Sequence, residues 1–156
     1  MFRIYMAGHM SMLKLEESIG WRKEIRNHYV MKAWNDLVFL DPYNGKCLSS
    51  ISGDGLTSDV PSEAIFDRDY NCVKSADLII ANMNTFGSER VPFGTISEVA
   101  WAWQMKKPII MITQEPQYKD HPFGKRQASW IVPDVKTLLD EKILDYFYQG
   151  AVTAKY

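Results

Sequence analysis

Apolar and polar positions alternate between two textures along the chain. Short, nearly continuous apolar runs occur at 2–8 (FRIYMAG), 36–42 (DLVFLDP), 77–83 (DLIIANM), 108–113 (PIIMIT) and 129–132 (SWIV). Each is bounded by Gly, Pro or polar clusters, the pattern of a strand buried on both faces. Between them lie segments with helical spacing. In 13–34, Leu15, Ile19, Ile25, Tyr29 and Val30 recur near the helical period. Further helices are expected at 63–76, 95–106 and 134–148, the last with Gly150 placed as its C-cap. Strands alternating with helices predict an α/β fold: a parallel sheet of about five strands, covered on both faces and wound by right-handed crossovers.

The stretch 43–62 is rich in Gly, Ser and Asp and reads as a long functional loop. In a doubly wound sheet, ligands bind beyond the carboxyl ends of the strands. The loops 8–12, 41–61, 84–95 and 114–128 then surround one crevice.

Size and charge narrow the picture. The chain has 156 residues, which predicts a single domain over 1–156. Eighteen basic residues against 19 acidic ones give a formal net charge of −1, which argues against a nucleic-acid polymer as the main partner. Cys47 and Cys72 have no metal-like spacing, and three scattered histidines give no zinc pattern. No apolar run is long enough to span a membrane, and the N-terminus lacks a basic flank, so a cytoplasmic protein is expected.

Two acids stand out. Glu98 follows Thr95 by three residues at the start of an apolar helix pattern, VPFGTISEVAWAW. This is the spacing of a capping box, in which the acid satisfies backbone N–H groups. The same helix start lies at the carboxyl edge of the third strand, so the carboxylate can also face the crevice. In the helix 63–76, Ile65, Cys72, Val73 and Ala76 mark one apolar face, and Asp69 falls within it. An acid there needs a partner or a proton. It is either a structural acid bonded to a loop or a proton-transfer group. Asp67 falls on the opposite side and is a candidate substrate contact.

Tyr5, in the first strand, can pack its ring while its hydroxyl reaches the crevice. Gly8 permits a tight turn or close approach to a ligand. His9, Ser88, Gly94 and the loop residues Asp41, Tyr43 and Asn44 are further candidates for substrate contact. The basic loop KDHPFGKR offers Lys125 or Arg126 as an anion contact at the crevice rim. Trp101 and Trp103 read as core or subunit contacts, on a helix where Ile96, Val99, Ala100 and Trp103 recur at helical spacing. There is no dinucleotide fingerprint, Walker A loop or serine-hydrolase elbow.

With these residues identified, the chain resembles the nucleoside 2-deoxyribosyltransferase family. The likeness rests on IYMAG, RDYNCVKSADLIIANMN, FGTISEVAWAWQMKKPIIMI and FYQGAV, in that order. It implies a flavodoxin-like fold and cleavage of the N-glycosidic bond of a 2′-deoxynucleoside, with deoxyribose passed to another nucleobase. It further implies Glu98, four residues after Gly94, as nucleophile, Asp69 in proton exchange with the base, and Tyr5 as the group that positions the nucleophile. No metal or organic cofactor is implied. The partners implied are a small nucleoside and nucleobase, with a homo-oligomer whose site lies near a subunit interface.

Three departures are visible. Pro92 stands where the family carries an aspartate or serine for the 5′ end, with Ser88 or Glu89 as substitutes. His9 replaces a proline. Arg126 and Gln127 fall near the place of an asparagine lent by the neighbouring subunit. Two alternatives therefore accompany the transferase: a deoxynucleoside 5′-monophosphate N-glycosidase, and a nucleotide-binding module without turnover.

Overall fold

The computed structural model describes residues 1–10, 13–32, 36–44, 48–50, 56–58 and 60–148. Five parallel strands form one sheet: β1 (Phe2–Gly8), β2 (Leu37–Leu40), β5 (Leu78–Asn82), β6 (Ile109–Ile112) and β7 (Trp130–Val132), in the order β2-β1-β5-β6-β7. Counted within the sheet this is 2-1-3-4-5, the flavodoxin-like doubly wound order. Gly8 pairs with Asn82, and Asn82 with Ile112, so the carboxyl ends of the three central strands lie level.

The apolar runs build two cores by strict alternation. Ile4, Met6, Leu78, Ile80, Ile110 and Ile112 face α1 (Leu15–Met31), α6 (Val135–Asp140) and α7 (Ile143–Phe147). Tyr5, Ala7, Ile79, Ala81, Ile109 and Met111 face α2 (Ser62–Ser75) and α3 (Phe93–Gln104). A run that is apolar at every position is what two covered faces require.

Several local expectations are corrected. The loop 43–62 contains an antiparallel hairpin, β3 (Leu48–Ser50) with β4 (Leu56–Ser58). Three-residue strands made of Leu, Ser and Thr give too little periodicity to read. The segment 114–128 folds into two short helices, α4 (Pro116–Lys119) and α5 (Pro122–Gln127). The expected final helix breaks at Lys142, whose φ of 53° is left-handed, so α6 and α7 are separate. Gly150 lies outside the described residues.

In α1 the buried stripe is Ser18, Trp21, Arg22, Ile25 and Tyr29. Leu15 and Val30 are exposed instead. On α3 the buried face is Thr95, Glu98, Val99 and Ala102, leaving Ile96 and Trp103 exposed.

Close packing against α1 leaves no room for a side chain at Gly8. A Cβ there would lie 2.7 Å from Trp21 Cζ2 and 3.1 Å from Arg22 Nη2. Gly8→Ala is therefore expected to destabilise the fold by about 1–3 kcal/mol through overpacking. Gly94→Ala, where a Cβ would meet nothing within 4 Å among the described residues, should stay within about 0.5 kcal/mol. Urea unfolding midpoints of the two variants test this contrast; equal midpoints would mean that the Trp21 ring yields.

Candidate active site

The order of the sheet reverses between β1 and β5, and three side chains meet beside that reversal on the α2–α3 face. Tyr5 is fully buried on β1. Its hydroxyl donates a 2.6 Å hydrogen bond to Glu98 Oε1, across 93 residues of sequence. Glu98 is 8% exposed and Asp69 is 7% exposed. Burial pushes the Tyr5 phenol far above its ordinary pKa, and the charges of Glu98 and then Asp69 push it further. Tyr5 thus stays a hydrogen-bond donor at every physiological pH. The half-buried Cys72 thiol is also raised, by burial first and then by Asp69, with Arg68 opposing and Glu98 adding. Both carboxylates therefore act on the same small volume.

The capping-box reading of Glu98 is overturned. Helix α3 starts at Phe93, two residues earlier than expected, with Pro92 as N-cap and no side-chain cap. Thr95 is buried inside the first turn, and Glu98 lies in the second. Glu98 Oε1 instead accepts from the Tyr5 hydroxyl. Asp69 lies on the buried face of α2 with Val73, as the helical wheel places it.

The other candidates are dispersed. The buried Asp41 carboxylate pairs with Arg22 at 3.7 Å and Arg26 at 3.4 Å. The half-buried Tyr43 bonds Ser18 through its hydroxyl and lies over the Arg22 guanidinium. Asp67 is exposed on the outer side of α2. Ser88 Oγ accepts from the Arg90 backbone N–H, and Gly94 is exposed. Arg126 lies with Trp103, Lys106, Lys107 and Pro108, near where β6 and β7 begin. That is the opposite edge of the sheet from the crevice, because α5 runs back toward the start of β7.

His9 is 6% exposed, and its Nε2 has no hydrogen-bond partner among the described residues. Burial and Arg90 hold its imidazole below the ordinary pKa, while Glu115 opposes them. Glu115 in turn accepts from the Thr85 N–H at 2.6 Å and hydroxyl at 2.8 Å, joining the loops after β5 and β6.

Two arginines escaped the sequence reading. Arg22 is fully buried and donates to the carbonyls of Met6, Gly8 and Ser18, fixing the end of β1 to α1. Its signal was an arginine inside a stripe otherwise spaced as a buried helix face. Arg68 bonds Asp69 and two loop carbonyls, and nothing in its spacing marks it.

An apolar cavity of about 460 Å³ opens on another face of α3, lined by Met83, Ile96, Val99, Tyr118 and Phe123 among others. It has no carboxylate in its wall, so the candidate site is defined by the buried acids and not by volume. Among the described residues, no group of three or more His, Cys, Asp or Glu is placed to hold a metal ion. No described helix is long and apolar enough to cross a membrane.

A doubly wound sheet with an oriented carboxylate at its switch point defines a class of α/β domains that bind small molecules at the strand ends. The profile of one such family, nucleoside 2-deoxyribosyltransferase, matches residues 4–140. The chain belongs to that family. Among solved structures, the CMP N-glycosidase BcmB of Clostridium botulinum is similar at 19% identity and TM-score 0.56, covering 92% of this chain and 98% of that one. A conserved protein of Enterococcus faecalis V583 is similar at 16% identity and TM-score 0.56, covering 94% and 97%. The 2-desoxiribosyltransferase of Leishmania mexicana gives 18% identity and TM-score 0.50 over 74% of this chain, which spans 66% of that protein's length. At these identities the structures support the fold. No curated protein gives a significant match.

Proposed function

We propose that this protein cleaves the N-glycosidic bond of a 2′-deoxynucleoside and passes the deoxyribose to a second nucleobase. The observation that carries this reading is the buried Tyr5–Glu98 hydrogen bond beside Asp69. Tyr5 holds one carboxylate oxygen, which orients Glu98 for attack on C1′. The Glu98 O–C1′ bond forms as the C1′–N bond breaks. Its electron pair goes to the departing base, which takes a proton from Asp69. A nitrogen of the second base then attacks C1′ and expels Glu98 as a carboxylate, and the incoming base returns a proton to Asp69. Two displacements retain the configuration at C1′.

A second reading, hydrolysis of a deoxynucleoside 5′-monophosphate, is favoured by one observation. Pro92 offers no side-chain polar group for the 5′ end, whereas His9 Nε2 has no partner among the described residues and the imidazole feels the charge of Arg90. One experiment separates the readings: a deoxynucleoside and its 5′-monophosphate, each incubated with and without a second free base, followed by chromatography of bases and nucleosides. Base exchange without preference for the phosphate is the expected result. Release to water alone, with phosphate required, replaces the transferase by the hydrolase. No release from any substrate leaves a binding module.

A further inference from the structure

We propose that Arg68 is a positioning residue that ties Asp69 to the turn after β2, so that this turn sets the orientation of the proton donor. The proposal rests on Asp69 being that donor. Adjacent residues on a helix point about 100° apart and do not face each other. Yet Arg68 Nε and Nη2 both donate to Asp69 Oδ1, at 3.1 and 2.9 Å. Helix geometry alone does not produce that contact; two carbonyls on another element bend the guanidinium into it. Arg68 Nη2 donates to Pro42 O at 2.6 Å, and Nη1 donates to Asn44 O at 3.0 Å.

The turn that supplies those carbonyls is itself anchored. Asp41 Oδ1 accepts the Tyr43 N–H at 2.9 Å, the Asp41 carbonyl accepts the Asn44 N–H at 2.9 Å, and Arg22 and Arg26 hold the Asp41 carboxylate. A continuous path therefore runs from the buried Arg22, through Asp41 and the turn, to Arg68 and Asp69. Arginine suits the junction because its planar fork donates in several fixed directions at once. Both bonds to Asp69 fall on Oδ1, which fixes the rotation of the carboxyl group and assigns proton transfer to Oδ2. The turn 41–44 lies at the carboxyl end of β2, beside the crevice. A base seated against it would press on the same element that orients its acid.

The test is a double-mutant cycle on the full chain. Steady-state kcat and KM for base release are measured for wild type, R68Q, R68K, D69N and R68Q/D69N, with thermal melts as a folding control. Misplacement of a reacting group by about 1 Å costs about 10²-fold. R68Q is therefore expected to lower kcat by about 10–100-fold, yet by less than about twofold when D69N is already present. R68K keeps the charge without the fork and should recover only part of the loss. A loss of the same size in both backgrounds, or full rescue by lysine, overturns the proposal.

Hydrogen exchange at the amides of Tyr43 and Asn44 gives a readout independent of turnover. It should quicken at least about tenfold in R68Q. Should D69N alone keep full turnover, the proton-donor reading fails. Exchange then decides the tie by itself: unchanged exchange removes it, and faster exchange retains it.

Discussion

Glu98→Gln will stop base release, with turnover falling by roughly 10³–10⁶-fold, the range seen when a covalent nucleophile is removed. Glutamine nearly matches glutamate in shape, and its amide oxygen still accepts from the Tyr5 hydroxyl, so the fold and the local packing survive. What disappears is the negative charge that, in the proposed mechanism, attacks C1′ and faces the developing oxocarbenium ion. Glu98→Ala is the poorer probe. It empties a buried position and leaves the Tyr5 hydroxyl without its acceptor, which destabilises by about 1–3 kcal/mol before any chemistry is lost. Liquid chromatography of released base measures the effect. Intact mass after mixing wild type with substrate alone should show a deoxyribosyl adduct that the glutamine variant lacks. Retention of a few per cent of activity by Glu98→Gln would remove Glu98 from the nucleophile's place.

The sheet was legible because its strands are nearly continuous apolar runs, and few other contexts ask for that. Ile109–Ile112 and Leu78–Asn82 declare two covered faces without help from neighbours. Helix boundaries were less legible. Thr95 and Glu98 have the spacing of a cap, but the helix begins earlier, at Phe93, with Pro92 at the N-cap, so Thr95 already lies inside the first turn. The choice between cap and catalytic acid could not be settled by spacing, since both roles need a carboxylate near the same helix start. The helix start at Phe93 removes the cap, and the hydrogen bond from Tyr5, a contact that no local pattern encodes, supports the proposed catalytic role.

Asp69 was legible because a buried face with one acid in it is an anomaly. Arg68 was not, and Arg22 showed only as a polar break in a buried stripe, with its role hidden, for a common reason. Their main partners are backbone carbonyls, and carbonyls carry no sequence signature. Met6, Gly8, Pro42 and Asn44 could be many residues and still present the same oxygen. The framework that holds the site is therefore written in chain geometry, and the chemistry in side chains.

Asp69→Asn divides the proton donor from the strut. Asparagine keeps an oxygen that accepts from Arg68, so the link to the turn at Pro42 and Asn44 is preserved. It has no acidic proton to give. Base release is expected to slow by about 10²–10⁴-fold for ordinary nucleosides, the usual worth of a general acid. The loss should scale with how badly the base needs protonation to leave. A nucleoside whose base already carries a positive charge, such as 7-methyl-2′-deoxyguanosine, departs as a neutral base without any proton. It should be cleaved by Asp69→Asn within about tenfold of wild type, because attack by Glu98 is intact. Parallel progress curves for 2′-deoxyguanosine and its 7-methyl form, on both proteins, measure the ratio directly. A general acid makes the variant's defect large for one substrate and small for the other. If both substrates slow equally and only slightly, Asp69 serves as a buried anchor for Arg68, and the proton must reach the base from elsewhere.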